Sequence, residues 1–482
     1  MNSVKSKTGI STVIIIMLGT FISSFDINVV NTALPIMQSY FHTSMSSIQW
    51  IIVGYLMVLG ATQLTFGRLS DMFGHKKIYV AGLMLFTISS LFCALSTSIV
   101  MLIVFRITQA IGASMISSSG SPIIIDAVDP KNRGKSLGMI AISVAVAVCT
   151  GPALGGLMAS RAGWSSIFFI NVPIGIVVSI LAIKVIKNDD TRRNEVQFDF
   201  AGSILIIAAI FLMLLPLNLL SKSYFNIGSI VSLLGGIFVL ILFIAFEKKS
   251  KHPILNMELF ENKVFTRSTF AAMFFYMGEF ILVFLAPYYL QKMRMLTPFM
   301  SGVMMLPMSI AMIIAAPLSG AISDNFDSRY IGCIGLAVMS LATLFIGGFN
   351  ASTPIWMLTV VFFIYGFGGG LFQTPNTSAV MGSVTADRRG VASAALGTMR
   401  TFGMMSGEAI SAALIAFSMN KSASAFISKG LKSTLLWQAE FRFAAKVTCI
   451  VAAICVIAAI VLSFVRGKSA APCEDAAVNV VK

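Results

Sequence analysis

Five ionisable residues stand inside long apolar stretches of this sequence: Asp26, Arg106, Glu279, Arg400 and Glu408. A charge in such surroundings costs several kcal/mol, so each marks a candidate place to hold a proton or a cation. Asp26 shares a helix side with Gly19, Ser23 and Val30, a small and polar stripe of the kind that lines a cavity. The alternative for Asp26 is a carboxylate locked in a structural hydrogen-bond network. Glu279 follows Phe275 and Tyr276 by four and three residues. That pairing of a charge with ring faces suits a lipophilic cation, whereas a glutamate near a helix end would simply reach solvent. Glu408 stands beside Met404 and Met405, side chains that adapt to varied shapes, although with 29 methionines in the chain ordinary packing competes. Arg106 and Gln109 fall on one helix face. A guanidinium near Asp26 favours its ionised form and burial opposes it, so the two together set when that carboxyl takes a proton. Arg106 and Arg400 could equally tie main-chain carbonyls together.

These residues need elements to position them, and the composition says which. Of 482 residues 57% are hydrophobic and 11% charged, far from the roughly 25% charged residues of a soluble domain. Apolar runs long enough to cross a bilayer core of about 30 Å recur along the chain. Fourteen candidate helices start near Thr12, Ile48, Ile78, Ile99, Ser136, Ser165, Phe200, Asn226, Ser268, Ser301, Tyr330, Pro354, Val391 and Lys446. They leave no room for a sizeable soluble domain.

The net charge of +15 does not indicate nucleic acid, because Lys and Arg concentrate on alternate loops: 68–77, 131–135, 184–193 and 248–267. The loops 35–47, 96–98 and 350–353 carry none. This is the positive-inside pattern, which places both termini in the cytoplasm of a multi-pass cell-membrane protein. Six cysteines show neither metal-ligand spacing nor a disulfide framework. The first apolar stretch follows Lys5 and Lys7 but lacks a small-residue cleavage site, so it reads as a retained helix. Gly134-Lys135-Ser136 and Gly467-Lys468-Ser469 lack the earlier glycine of a phosphate loop. Any uphill transport would therefore draw on an ion gradient and no cofactor.

Between two apolar runs lies Gly67-Arg68-Leu69-Ser70-Asp71-Met72-Phe73-Gly74-His75-Lys76-Lys77, and a weaker copy returns 253 positions later as Gly320-Ala321-Ile322-Ser323-Asp324. A turn repeated half a chain later indicates two halves built alike. Gly74 permits a tight turn, and Asp71 can cap a helix or pair across the interface. Gly151-Pro152 interrupts helical hydrogen bonding, while Gly151-x-x-x-Gly155 with Gly156 permits close helix approach. The parse is an N-terminal six-helix bundle at 1–187, linkers with two inserted helices at 188–267, and a C-terminal six-helix bundle at 268–482. The last unit includes a long extracellular loop at 418–446, whose length and mixed polarity suggest a hairpin or short helix, and a short cytoplasmic tail.

The 67–77 turn resembles the signature loop of the major facilitator superfamily. Asp26 to Pro35 is similar to the first-helix motif of fourteen-helix drug/proton antiporters of the EmrB/QacA type. Arg106-Ile107-Thr108-Gln109 resembles the fourth-helix motif, and Gly151 through Gly156 the antiporter motif of the fifth. Trp164 through Gly175, Pro253-Ile254-Leu255, Tyr289-Leu290-Gln291 and Asp199 with Gly202 extend the likeness. Met72 and His75 depart from it, standing where arginines are usual. The resemblance implies an all-α integral membrane protein of fourteen transmembrane helices that exports lipophilic, cationic drugs in exchange for protons. Asp26 would lead proton coupling or substrate binding with Arg106 tuning it, while Glu279 and Glu408, which match no family motif, are auxiliary acidic candidates on their own residue chemistry. Ser23, Gln109, Phe275, Tyr276, Met404 and Met405 would line the cavity. Gly67, Asp71, Gly74, Lys76, Gly151, Pro152, Gly155 and Gly156 would gate it. The implied partners are a small-molecule substrate, protons and the bilayer, with no metal; an accessory or periplasmic partner stays open. A narrow exporter of a metabolite, siderophore or peptide antibiotic remains an alternative, as does a non-transporting membrane sensor. No catalytic constellation is present to suggest an enzyme.

Overall fold

A computed structural model describes residues 2–128, 133–187, 199–219, 227–249, 257–323, 326–384, 389–427 and 433–467. Almost all of them are helical, because a chain crossing lipid must satisfy its own backbone hydrogen bonds. The first half consists of α1 (Asn2–Tyr40), the short α2 (Met45–Ile48), α3 (Trp50–Phe73), α4 (His75–Ala94), α5 (Ile99–Ala127), α6 (Arg133–Arg161), the short α7 (Ser166–Phe169) and α8 (Asn171–Val185). A hairpin of α9 (Phe200–Leu219) and α10 (Ile227–Glu247) follows. The second half contains α11 (Lys263–Tyr288), α12 (Pro298–Ser323), α13 (Ser328–Gly347), α14 (Ile355–Gly382), α15 (Arg389–Ile427) and α16 (Ser433–Val465).

Within the first half α4 packs on α5, α1 on α6, and α3 on α5; within the second α12 and α13 pack on α14, and α11 on α15 and α16. The halves meet along two seams, α6 against α12 and α3 against α15. The α9–α10 hairpin does not float free, because α9 lies against both α3 and α15, over the second seam. Its partner α10 exposes Val231, Leu234, Phe238 and Ile241, as a lipid-facing helix would.

Glycine makes the first seam. A methyl group added at Gly302 would stand 2.0 Å from the Pro152 carbonyl oxygen, and one at Gly156 would stand 2.2 Å from that of Pro298. The helices approach backbone to backbone, which any side chain would prevent. Gly302→Leu should therefore destabilise the protein by about 1–3 kcal/mol or more through overpacking. Gly228→Leu is the control, since a methyl there meets nothing within 4 Å. A melting temperature in detergent that falls for the first variant and holds for the second is the expected outcome.

Twelve helices among the described residues are long and apolar enough to cross a membrane, where fourteen were expected. Of α9 only a shorter apolar stretch, Ala201–Met213, qualifies, and α15 is absent from the twelve. The reason in α15 is composition: it carries Arg400 and Glu408 in a sequence rich in Gly, Ala and Ser. In 418–446, expected as an extracellular loop with a hairpin or short helix, α15 continues to Ile427 and α16 begins at Ser433; mixed polarity alone does not end a helix. Residues 428–432, the 188–198 linker, the 468–482 tail and Asp324 of the repeated turn lie outside the described residues.

Candidate functional site

The first polar centre is built where α1, α5 and α8 cross. Arg106 is wholly buried and forms an ion pair with Asp26, itself 1% exposed. Gln109 donates from Nε2 to Asp26 Oδ1 at 3.2 Å and to Ser90 Oγ at 2.7 Å, and its own oxygen accepts from Arg106 Nη1 at 2.7 Å. Asn171, at the start of α8, gives a further donor to Asp26 Oδ1 at 2.8 Å. Arg106 also donates from Nε to the Ile51 carbonyl at 3.1 Å and lies 4.0 Å from the centroid of the Tyr55 ring. Thus the carboxylate is held by one cation and two amides drawn from two further helices. A buried charge is stable when paired and hydrogen-bonded in this way. Asn171, Ser90 and Tyr55 were given no role by sequence reasoning; the signal for Asn171 was a lone amide within Phe168-Phe169-Ile170-Asn171-Val172. Ser23 is near but separate, its hydroxyl donating to the Thr20 carbonyl of its own helix.

The second half presents a different arrangement. Glu279 of α11 is 7% exposed and Glu408 of α15 is fully buried. Oε2 of Glu279 and both carboxyl oxygens of Glu408 have no hydrogen-bond partner. Around Glu279 stand Tyr276, Tyr365 and Arg400. Gln373 donates to the Tyr276 hydroxyl, and the Arg400 guanidinium lies 4.8 Å from the Tyr276 ring centroid. Glu408 faces Tyr288 of its own half and Asn31 of α1, in the other half. Neither that amide nor the Tyr288 hydroxyl closes a hydrogen bond. Glu408 therefore sits at the junction of the bundles with polar neighbours that have not engaged it.

Other candidates separate into packing and site. Phe275 is fully buried between Tyr276 and Phe372, with both ring centroids 4.9 Å away, and so belongs to the core. Met405 is buried, while Met404 is half-buried. Tyr288 and Tyr365 are the polar groups with the weakest local signal, since they sit inside apolar runs with no adjacent charge.

The expected gating residues fall at the two ends. Gly74 adopts φ of +99°, the conformation that lets α3 turn sharply into α4. Asp71 is 3.8 Å from His75 across that turn, and His75 Nδ1 lies 3.0 Å from Ser70 Oγ. The pair is local to the turn. Lys76 donates to the Ile183 carbonyl at the end of α8, and Gly67 stands close to Ser118 of α5. At the opposite end Gly151 and Gly155 abut Asn28 and Val29 of α1, while Gly156 and Pro152 meet α12. Sequence reasoning missed a third device there. The turn Tyr289–Met293 after α11 is a π-helix, from which Gln291 donates to the Thr32 carbonyl and Lys292 to Ser39 Oγ, both at 2.8 Å. These contacts tie the halves together at the end remote from Gly74. Such π-turns are frequent at functional sites.

Among the described residues no group of three or more His, Cys, Asp or Glu could hold a metal ion.

The sequence profile of the Major Facilitator Superfamily matches residues 16–408 and, in a second match, 268–473. The chain is 31% identical over 406 residues to the riboflavin transporter RibZ of Clostridioides difficile, covering 84% of this chain and 88% of that one. It is 30% identical over 413 residues to the methylenomycin A resistance protein of Bacillus subtilis, covering 85% and 88%. Among solved structures it is similar to a bacterial homologue of the human lysosomal transporter Spinster in an inward-facing, occupied conformation. There the TM-score is 0.61 and the identity 13%, covering 94% of this chain and 96% of that one. A D-xylose–proton symporter gives a TM-score of 0.59 at 13% identity, covering 91% and 97%.

Proposed function

Because the chain belongs to the Major Facilitator Superfamily, and so is a membrane transporter rather than an enzyme, we propose that it is a proton-coupled antiporter exporting lipophilic small molecules. The observation that carries this reading is the state of Glu279 and Glu408, buried carboxyls of which one oxygen of Glu279 and both of Glu408 lack a hydrogen-bond partner. An ionised carboxylate in that position is costly, and taking up a proton removes the cost. A group whose charge is this dependent on its surroundings is suited to exchange protons when the surroundings change. Glu408 is suited further by its place, since Asn31 of the opposite half would engage or leave it as the halves rock.

Asp26, expected to lead the proton chemistry, takes a different part in this proposal. Its ion pair with Arg106 and its bonds to Gln109 and Asn171 fix α1 against α5 and α8. It orients the wall of the cavity while Glu279 and Glu408 titrate. The Gly151–Gly156 face against α12 seals one seam during the cycle, and the 67–77 turn closes the basic end. The basic end is assigned to the cytoplasm by the loop charges. The fourteen-helix parse, with α9 and α15 as additional crossings, completes the antiporter reading.

Resistance conferred on cells tests this. In a bacterial host stripped of its own exporters, the wild-type chain should lower accumulation of a fluorescent lipophile, and a protonophore should abolish the difference. Accumulation that stays the same with and without the chain would remove the export reading.

A second reading is favoured by the likeness to a protein named a riboflavin transporter: carriage of one metabolite. Saturable movement of labelled riboflavin in proteoliposomes, unaffected by a tenfold excess of unrelated lipophiles, would support it over broad export.

A further inference from the structure

The aromatic and acidic surface expected to receive a lipophilic cation already has a cation in it. Arg400 lies over the Tyr276 ring at 4.8 Å, and it is the cation whose charge reaches Glu279. It occupies the ring face and offsets the carboxylate, which are the two attractions a cationic molecule would use. Gln373 completes the group by donating to the Tyr276 hydroxyl.

Arg400 stands beside the seam between the halves. On the same helix, Gly397 and Thr401 abut α3 of the other half: a methyl at Gly397 would stand 3.2 Å from Gln63 Nε2, and one at Gly60 would stand 3.0 Å from Thr401 Cγ2. Arg400 and Gln373 are both half-buried, whereas Tyr276 and Glu279 are buried. The more accessible groups of the four are thus a guanidinium and an amide. A guanidinium offers hydrogen-bond donors only, in a planar fork that matches carboxylate and carbonyl oxygens and stacks on flat rings.

We infer that Arg400 sets the charge class of the cargo: the site formed by Arg400, Gln373, Tyr276 and Glu279 takes flat lipophiles with an acceptor edge, neutral or anionic, and discriminates against fixed cations. This deepens the export reading and rests on it in one respect, that cargo passes between the halves. Removing the guanidinium would expose the Tyr276 ring face and leave Glu279 without its counter-charge, which turns the same surface into a cation site.

Two xanthene dyes of nearly the same shape separate the cases, fluorescein as the anion and rhodamine 123 as the cation. Binding of each to the purified full-length protein is measured at pH 7.5 by fluorescence polarisation, for wild type, Arg400→Gln and Arg400→Lys. Taking the ratio of the two affinities on one preparation cancels differences in the amount of folded protein. Wild type should prefer fluorescein by about tenfold or more, and Arg400→Gln should shift the ratio by about tenfold or more toward rhodamine 123. Arg400→Lys, which keeps the charge and loses the fork, should fall between them. A wild-type protein that prefers rhodamine 123 or binds neither dye, or a ratio unchanged in Arg400→Gln, overturns the inference. The export reading is tested apart, by fluorescein uptake into proteoliposomes with an acid lumen. If the ratio follows Arg400 while the acid lumen drives no uptake, antiport fails and the charge assignment stands.

Discussion

Replacing Glu408 with Gln is expected to leave the protein folded and to lower proton-driven transport by about a hundredfold, while exchange of cargo for cargo across the membrane continues. Both carboxyl oxygens of Glu408 are sealed from solvent without a hydrogen-bond partner, so the native fold gains little from the ionised form. Glutamine has nearly the same shape and resembles the protonated acid, which explains why folding should survive. Coupling should not survive, because a side chain that cannot release a proton cannot link a pH gradient to movement of the halves. Cargo-for-cargo exchange needs only the reorientation of the loaded carrier, so it should persist and provides the control for folding. Uptake and exchange assayed on the same proteoliposomes measure both. If Glu408→Gln keeps full proton-driven transport, Glu408 is not a coupling group.

Arg106→Ala should have the opposite character, with loss of the folded protein itself. It strips the cation from a carboxylate that is 1% exposed and leaves it with only the amides of Gln109 and Asn171. Breaking a buried pair from one side costs about 3–5 kcal/mol, a large part of any protein's stability. The ring stacking on Tyr55 and the bond to the Ile51 carbonyl go with it. The double variant Asp26→Asn with Arg106→Met should recover much of the yield, since it leaves no orphaned charge. Size-exclusion profiles of the two singles and the double provide the measurement. Recovery in the double shows that the pair acts as a fixed structural element. Equal loss in the double would show that each residue contributes separately.

Much of this arrangement was legible beforehand, for reasons that differ between residues. Apolar run length decides where helices lie, so most of the fourteen expected starts fall within helices of the structure. Arg106 and Gln109 could be paired on one face because helical periodicity fixes neighbours three residues apart. That Asp26 joins them is a long-range contact between α1 and α5, for which local spacing supplies no constraint. Asn171 contributes from farther still and reads locally as one amide in an apolar run. The Gly151–Gly156 face announced a close approach but not its partner, since Gly302 is an isolated glycine on α12. The π-turn at Tyr289–Met293 was hidden for another reason: its contacts to Thr32 and Ser39 are long-range and leave no local pattern. At 418–446 mixed polarity suggested a hairpin or short helix, and α15 and α16 extend into the segment from both sides.

The relation between the two halves is the most instructive difference. Each pairs buried acid with an arginine, and the sequence made Asp26 the leading acid with Glu279 and Glu408 auxiliary. In the first half the arginine closes on its acid as an ion pair. In the second, Arg400 lies on a ring and the acids keep unengaged oxygens. A saturated centre holds its geometry, and an unsaturated one can respond.

That contrast is tested most directly by imposing a pH gradient on proteoliposomes containing the purified protein and a fluorescent lipophile. With an acid lumen and a neutral bath, the dye should accumulate inside above its bath concentration, and its addition should speed the loss of the gradient. Glu408→Gln should abolish both effects. Uptake that only reaches the bath concentration and is indifferent to the gradient would contradict proton-coupled antiport.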